Sequence, residues 1–384
     1  MKKKILFMEA RYQTLYGGQK SMIKLMNILS RENFEIKALL GGEGKLKAVM
    51  DKQNIAVDVI KLGKKADVFG GKILKYSFLE KMIVFIQLFI YNLKLILYLK
   101  KNRIDIVYVN NLRTCMYVFF AAKLLRKKIV IYIREEIKDT FLTKVVLFFA
   151  DEIITIANGV LKNISKKITE KYKNKITNIY TGFEFEKFYI APKDESKRRL
   201  NLDWEKIVVG FVGSINKRKG VDILVEALLN ISKVTKNIVF VIAGDVIEGH
   251  ALYWKELQEK MAKNQVEYKH IKYQTDVSLV YNAIDILVLP SRSEGLSRTV
   301  IEGMSHRLPV IATDAGGTQE IIENKSLGIV IPKNSTKLLV EALFELINSP
   351  ELQKQIGEKA KKHVEKKFNE KEFEKKINAL FNKI

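Results

Sequence analysis

One cysteine, Cys115, is present in 384 residues. A single thiol forms neither an internal disulfide nor a cysteine metal site, so a reducing cytoplasm is the natural compartment. Five prolines and 21 glycines exclude collagen-like and low-complexity organisation. The longest uncharged apolar run, Met82 to Leu93, is bounded by Lys81 and Lys94. It falls short of the ~20 residues that a bilayer span needs, so no transmembrane helix is expected. Acidic side chains are the scarcer sign: 43 Asp and Glu stand against 67 Lys and Arg, a formal net charge of +24. All four histidines (His250, His270, His306, His363) lie in the second half. No His/Cys/carboxylate cluster with metal-ligand spacing is visible, so no metal site is expected.

Apolar residues at 47% and charged residues at 29% exclude a disordered chain, and the length favours two domains over one. The positive charge is uneven. Residues 1–190 carry 36 Lys and Arg against 17 Asp and Glu, a net +19, whereas residues 191–384 carry 31 against 26, a net +5. A uniform lysine bias would spread the excess evenly, so the first half has its own reason to be basic; the balance suggests an anionic partner, with a generally lysine-rich composition as the alternative. Nucleic acid is not the expected one: no recognised binding motif occurs, and the basic runs lack interleaved aromatic platforms. The start, Met1-Lys2-Lys3-Lys4 before Ile5-Leu6-Phe7-Met8, resembles a signal peptide, but Glu9 and Arg11 end the apolar run after four residues. It reads as a first buried strand.

Short β-branched runs alternate with segments of helical period. The pattern predicts strands at 5–8, 36–40, 105–109, 128–133, 152–156 and 176–180, with helices 18–30, 72–101, 114–125, 140–150 and 159–171 among them. It then restarts, with strands at 207–213, 238–244, 266–270, 286–290, 310–313 and 328–331 and helices at 221–233, 253–263, 299–305 and 336–348. Strands apolar throughout and separated by helices imply parallel sheets covered on both faces. The fold class is therefore α/β, two Rossmann-like doubly wound domains in tandem. The polar stretch 191–201, with Pro192, is the candidate linker. The expected domains are 1–188 and 202–366, with a C-terminal helix at 367–384 crossing back to the first domain. Ligands of such sheets sit at the carboxyl ends of the strands, and facing domains would build a cleft there.

Four motifs fall where that rule puts them. Gly17-Gly18 follows the first strand and the polar loop 9–16 and opens a helix, either an ordinary turn or a close approach to an anion. No dinucleotide fingerprint or P-loop is present. Gly213-Ser214 and the cations Lys217, Arg218 and Lys219 lead into Gly220 and a helix start, where the helix dipole disfavours positive charge. A bound anion such as a diphosphate resolves that conflict; a solvated basic loop is the alternative. Pro290 to Met304 contains two carboxylates eight apart, Glu294 in the strand-to-helix loop and Glu302 on the first turns of the helix. Thr299-x-x-Glu302 also fits a capping box, which gives Glu302 a structural alternative. Glu294, beside Gly295, has no such role, so it reads as a ligand. The turn Gly316-Gly317 with Glu320 offers further backbone donors.

In this order the motifs resemble the retaining GT-B glycosyltransferases, specifically glycosyltransferase family four. The residues are Glu294 and Glu302 in the E-x7-E arrangement, the turn Gly316-Gly317-x-x-Glu320, and Lys219-Gly220 with Val221-Asp222. The resemblance is strong over 205–332 and weaker in the first half. It implies that Arg218 and Lys219 neutralise a donor diphosphate, with Gly213 and Ser214 beside it. Glu294 touches the donor sugar hydroxyls, near the amides of Gly295, Leu296 and Ser297, and Glu302 takes the ribose hydroxyls. Gly17 and Gly18 close on the diphosphate. Ser214 stands where members often have arginine, a charge that Arg218 can supply, and no first-domain histidine is present. The substrates implied are a nucleoside diphosphate-sugar and a glycan or lipid-linked hydroxyl acceptor, with no cofactor and no metal. A GT-B epimerase acting on donor alone is the alternative, and a basic nucleic-acid-binding protein a further one.

Helix 72–101 bears on where such an enzyme works. Leu79, Met82, Ile83, Ile86, Phe89, Ile90, Leu93 and Leu97 recur at helical spacing beside Lys75, Lys81, Lys94, Lys100, Lys101 and Arg103. The apolar face reads as the side packed on the sheet. The cations suit an anionic membrane, giving a cytoplasmic protein peripheral on the inner face of the cell membrane.

Overall fold

A computed structural model describes residues 2–15, 17–32, 34–68, 72–274 and 276–384. Tyr16, the end of the first polar loop, lies outside them. The chain divides into two compact units, Met1–Ile156 with Leu161–Ile179 and Glu374–Ile384, and Ala157–Val160 with Tyr180–Phe373.

The first unit runs β1 (Lys3–Glu9), α1 (Gly17–Ser30), β2 (Phe34–Leu40), α2 (Lys45–Lys52), β3 (Val57–Val59), α3 (Phe78–Lys101) and β4 (Ile106–Val109). It continues through α4 (Leu112–Leu124), β5 (Lys128–Ile133), α5 (Phe141–Phe149), β6 (Glu152–Thr155), α6 (Lys166–Tyr172) and β7 (Ile176–Asn178). Its seven strands are ordered β3-β2-β1-β4-β5-β6-β7 and every pairing is parallel. The order reverses beside β1, which is where a doubly wound sheet opens a crevice. β1, β4 and β5 are buried almost throughout, because helices cover both faces.

The second unit runs α7 (Lys193–Arg199), β8 (Ile207–Val212), α8 (Val221–Val234), β9 (Ile238–Ala243), α9 (Ala251–Lys263), β10 (Tyr268–Ile271) and α10 (Ser278–Ala283). Then come β11 (Ile286–Leu289), α11 (Arg298–Ser305), β12 (Val310–Thr313), α12 (Thr318–Ile321), β13 (Ile329–Ile331), α13 (Thr336–Ile347) and α14 (Pro350–Lys367). Its sheet order is β10-β9-β8-β11-β12-β13, all parallel, with the reversal beside β8. The last helix, α15 (Glu370–Lys383), leaves the second unit, and its residues from 374 cluster with the first. There Phe381 is fully buried against Phe34, ring edge to ring face at 6.3 Å.

Several expectations need correction. Residues 191–201 are not a linker. They form α7, whose Lys197 is buried and holds Asp285 at 2.9 Å, while Ser196 is sealed from solvent. Residues 180–188 go with the second unit, where Phe183 N donates to the Phe368 carbonyl at 2.8 Å. The expected helix 159–171 breaks into the short turn Asn158–Leu161 and α6, because Glu320 accepts from Asn158 N at 3.0 Å and Gly159 N at 2.7 Å. The helix expected over 72–101 restarts at Phe78, behind a capping box in which Ser77 and Glu80 satisfy each other's backbone N–H. α2 and the three-residue β3 carried too few apolar residues to register.

The largest correction concerns α3. Its apolar stripe at Leu79, Met82, Ile86, Phe89, Leu93 and Leu97 is exposed and does not pack on the sheet; the buried side is Val84, Tyr91, Leu95 and Leu99, on a helix that packs beside α4. Nor is the segment too short to span. Lys94 interrupts it, but the helix runs on, and by length and composition it suffices to cross a membrane.

Candidate active site

In the second unit, three strand ends supply the polar groups. After β8 the chain turns through Gly213 and Ser214 to Asn216, a buried side chain whose Oδ1 accepts from Lys219 N at 3.1 Å. That bond caps the single 3-10 turn Lys217–Lys219. Gly220 then joins the turn to α8 at φ +70°, and a Cβ there would lie 2.0 Å from the Pro290 carbonyl oxygen. Only glycine meets both demands. The basic turn is thereby held against the loop that follows β11.

That loop carries Glu294, with 7% of its surface exposed. Its Oε1 accepts from Lys219 Nζ at 2.6 Å, and Arg218 approaches Oε2 at 3.9 Å while donating to the Ser293 carbonyl at 2.8 Å. Burial pushes the Glu294 carboxyl up, but Lys219 and Arg218 together outweigh it and hold the group below its ordinary range. Glu294 is thus a buried, ionised acceptor. The electrostatic conflict expected at the basic helix start is met within the chain by this carboxylate and by Asp222 in the first turn of α8.

Arg292 binds Asp222 through two parallel bonds, at 2.8 and 2.6 Å, and also donates to the Lys217 carbonyl at 2.6 Å and to Asn334 at 2.9 Å. Arg292 N donates to the Arg218 carbonyl at 2.8 Å. Tyr253 adds a hydroxyl bond to Asp222 at 2.9 Å. Sequence reasoning missed Arg292 and Tyr253. The signal for Arg292 was its place two residues before Glu294, but nothing local identifies its partner 70 residues away. The structure therefore brings together Gly213, Arg218, Lys219 and Glu294: a Cβ on Gly213 would lie 3.8 Å from the Lys219 side chain. Ser214 turns its hydroxyl to Asn216 at 3.0 Å and so props the cap.

Gly295, Leu296 and Ser297 lead into α11. The N-cap is Ser297, whose Oγ accepts from Val300 N at 3.4 Å. This overturns the capping-box alternative: Thr299 lies inside the helix and donates to the Val212 carbonyl at 3.1 Å, and Glu302 lies beyond the third helical position, Val300, from which a capping-box side chain reaches back. Glu302 instead accepts from the Tyr281 hydroxyl at 3.0 Å and from Arg298 at 3.2 Å. Behind the Glu294 loop, Gly316 sits at φ +54°, and its missing Cβ would meet the Glu294 carbonyl at 2.4 Å. Gly317 N donates to the Gly295 carbonyl at 2.7 Å. The glycine turn therefore buttresses the carboxylate loop, and the carboxylate of Glu320 is taken up by Asn158, Gly159 and Tyr180.

The first unit has its own polar cluster at the ends of β1, β4 and β5. Gly17 and Gly18 open α1, and a Cβ on Gly17 would meet nothing within 4 Å. Asn110 donates to the Gly18 carbonyl at 3.2 Å and to Glu9 at 3.0 Å, and Asn111 reaches the other Glu9 oxygen at 2.8 Å. Arg134 lies over the Tyr132 ring at 3.7 Å and donates to Asn110 at 3.1 Å, yet its buried Nη1 has no hydrogen-bond partner among the described residues. Glu9 and Arg134 escaped sequence reasoning because single charged residues at strand ends carry no spacing signal. Among the described residues no group of three His, Cys, Asp or Glu is placed to hold a metal ion.

Residues 192–363 match the family model of glycosyl transferases group 1. The chain is 31% identical over 240 residues to an uncharacterized glycosyltransferase of Methanocaldococcus jannaschii, covering 62% of this chain and 61% of that one. It is 27% identical over 244 residues to the capsular polysaccharide biosynthesis glycosyltransferase CapM of Staphylococcus aureus, covering 62% and 63%. These matches span about three fifths of the relatives' own length. The crystal structure of Anabaena HepE in complex with UDP superposes with a TM-score of 0.80 at 19% identity, over 99% of this chain and 100% of that one. The fold, two Rossmann-like domains with parallel sheets, is that of GT-B glycosyltransferases.

Proposed function

With the group 1 glycosyltransferase match over residues 192–363 as premise, we propose that this chain is a retaining glycosyltransferase of the hexosyl type. It moves a sugar from a nucleoside diphosphate donor to a hydroxyl of a cell-surface polysaccharide or lipid-linked glycan, in the cytoplasm at the inner face of the membrane. The observation that carries this reading is the buried Lys219–Glu294 pair with Arg218 beside it, at the carboxyl edge of a parallel sheet. The polysaccharide setting draws on the capsular relative, and the HepE structures with UDP and UDP-glucose make uridine nucleotides the first donors to test.

The chemistry assigns each group a task. As the bond from the anomeric carbon to the diphosphate oxygen breaks, negative charge grows on the leaving phosphate. Lys219 and Arg218 stabilise it, and such fixed charge is usually the largest catalytic contribution. The acceptor oxygen bonds the anomeric carbon on the face the diphosphate leaves, and its proton passes to the departing phosphate oxygen. No protein base is then required. Glu294, ionised and buried, accepts from sugar hydroxyls, and Glu302 from the ribose. Gly17 and Gly18 serve the diphosphate, and the first unit, with Arg134 and Glu9 at its strand ends, serves the acceptor. Protein cations here do what a divalent metal does in other transferases.

The test is nucleotide release from a panel of UDP-, GDP- and ADP-sugars with glycan acceptors, UDP-sugars first. Acceptor-dependent release with retained anomeric configuration is expected. Conversion of donor alone to an epimer would replace this reading with epimerisation, and inverted product would remove the retaining step.

A further inference from the structure

α3 is 24 residues long, and only one of its sides belongs to the core. At 100° per residue, its exposed apolar side chains between Phe78 and Leu97 fall within an arc of about 160°. Phe78, Phe85 and Leu97 are 76%, 71% and 69% exposed. α4 packs between α3 and α5, where Ala121 N donates to Asn92 of α3 at 3.3 Å and Phe119 stacks on Phe149 of α5 at 4.5 Å. The layer adds exposed Phe120, Phe141 and Phe148 to the surface. Monomeric soluble proteins rarely expose apolar patches beyond a few hundred Å², and larger ones mark interaction sites.

Charge selects the occupant. Lys75 and Lys81 lie at one end of the arc, and Lys94, Lys100, Lys101 and Arg103 lie along and beyond the other, all exposed. The one acidic residue of α3, Glu80, is spent on Lys65 at 2.8 Å and on its own N-cap. A second copy docking through this face would bring two halves of net +19 together. An anionic leaflet attracts them, and lysine stems reach from an apolar surface to headgroups.

We propose that the outer side of α3, widened by α4 and α5, docks in the plane of an anionic phospholipid leaflet, its aromatic and aliphatic side chains inserted at the headgroup–acyl boundary. Leu95 and Leu99, fully buried, keep the inner side of α3 in the fold, so the helix lies in the interface and does not cross it. The proposal rests on the membrane placement of the reading above and deepens it; binding is measured without substrate, so its failure removes that placement and leaves the transfer chemistry to its own assay.

The experiment is co-flotation of the full chain with vesicles of phosphatidylcholine alone or with 30% phosphatidylglycerol, at low and high salt. Binding to the anionic vesicles is expected, reduced but not abolished by salt. Lys94→Glu with Lys101→Glu weakens it by an order of magnitude or more, at roughly fivefold per cation. Phe85→Glu with Phe89→Glu abolishes the salt-resistant part without lowering the melting temperature, since both side chains face solvent. As an independent readout, Phe85→Trp gains fluorescence quenching by acyl-brominated lipid beyond that of the parent, which has only Trp204 and Trp254. A parent chain that stays unbound at low salt overturns the proposal. So does an unquenched Phe85→Trp, or a dimer that Phe85→Glu with Phe89→Glu dissolves, which would make a second copy the occupant. Resistance to carbonate extraction would mean that α3 spans the bilayer instead.

Discussion

Glu294 and Lys219 are each about nine-tenths out of water, and neither is tolerable there without the other. Glu294→Gln keeps the shape and one acceptor oxygen, so the fold should persist with circular dichroism unchanged while transfer falls at least about a hundredfold. It leaves a buried ammonium facing a neutral group, a loss of about 1–3 kcal/mol in denaturant unfolding. The sign with pH follows from the lowered carboxyl. Its contribution is complete above the unfolded value, about 4.3, and disappears as pH falls through the lower folded value. The stability gap between parent and variant should therefore narrow below pH ~4, and a gap constant from pH 7 to 3 would contradict the assignment. Lys219→Ala should lower turnover by orders of magnitude, with EDTA leaving the parent rate unchanged. EDTA inhibition reversed by Mg²⁺ or Mn²⁺ would reassign the diphosphate to a metal. Glu302→Gln separates from both: the cap belongs to Ser297, so donor KM should rise with little change in stability, whereas Ser297→Ala should cost about 1 kcal/mol.

At the scale of elements, the site depends on how one 3-10 turn and two loops are clamped. Gly220 is the closest point of that clamp, in left-handed backbone against Pro290. Gly220→Ala combines a conformational cost of 1–2 kcal/mol, typical of non-glycine residues there, with an overlap that must push the turn away from the Glu294 loop. The expected result is a stability loss of about 2 kcal/mol or more and a fall in kcat exceeding the rise in KM, measured by thermal melts and steady-state kinetics. Much at this scale was legible in the sequence, because β8, β11 and the first three residues of β12 carry no charged or hydrogen-bonding side chain and the motifs begin where those runs stop. α2 and β3 were not. Short elements stabilised by their neighbours carry little periodicity of their own.

For the whole molecule, the return of residues 374–384 to the first unit matters most. Ile377 and Phe381 are fully buried there, although they come from the far end of the chain. Phe381→Ala should remove about 3–5 kcal/mol from that unit's stability. Calorimetry should show an early transition in the variant while the second-unit transition stays in place, and a single unshifted transition would contradict it.

The sequence by itself determined the class of fold and the residue types of the site. Strand and helix periods, glycine turns and cations after strands are local, and local chemistry dictates them. Only the tertiary structure decided which groups meet. Lys219 finds Glu294 75 residues on, Arg292 finds Asp222 70 residues back, and Glu320 reaches back 162 residues to Asn158. It also decided which side of α3 is inside. An apolar stripe has the same period whether a core or a bilayer covers it, and only the burial of Leu95 and Leu99 on the inner side of α3 left Phe85 and Phe89 in the open.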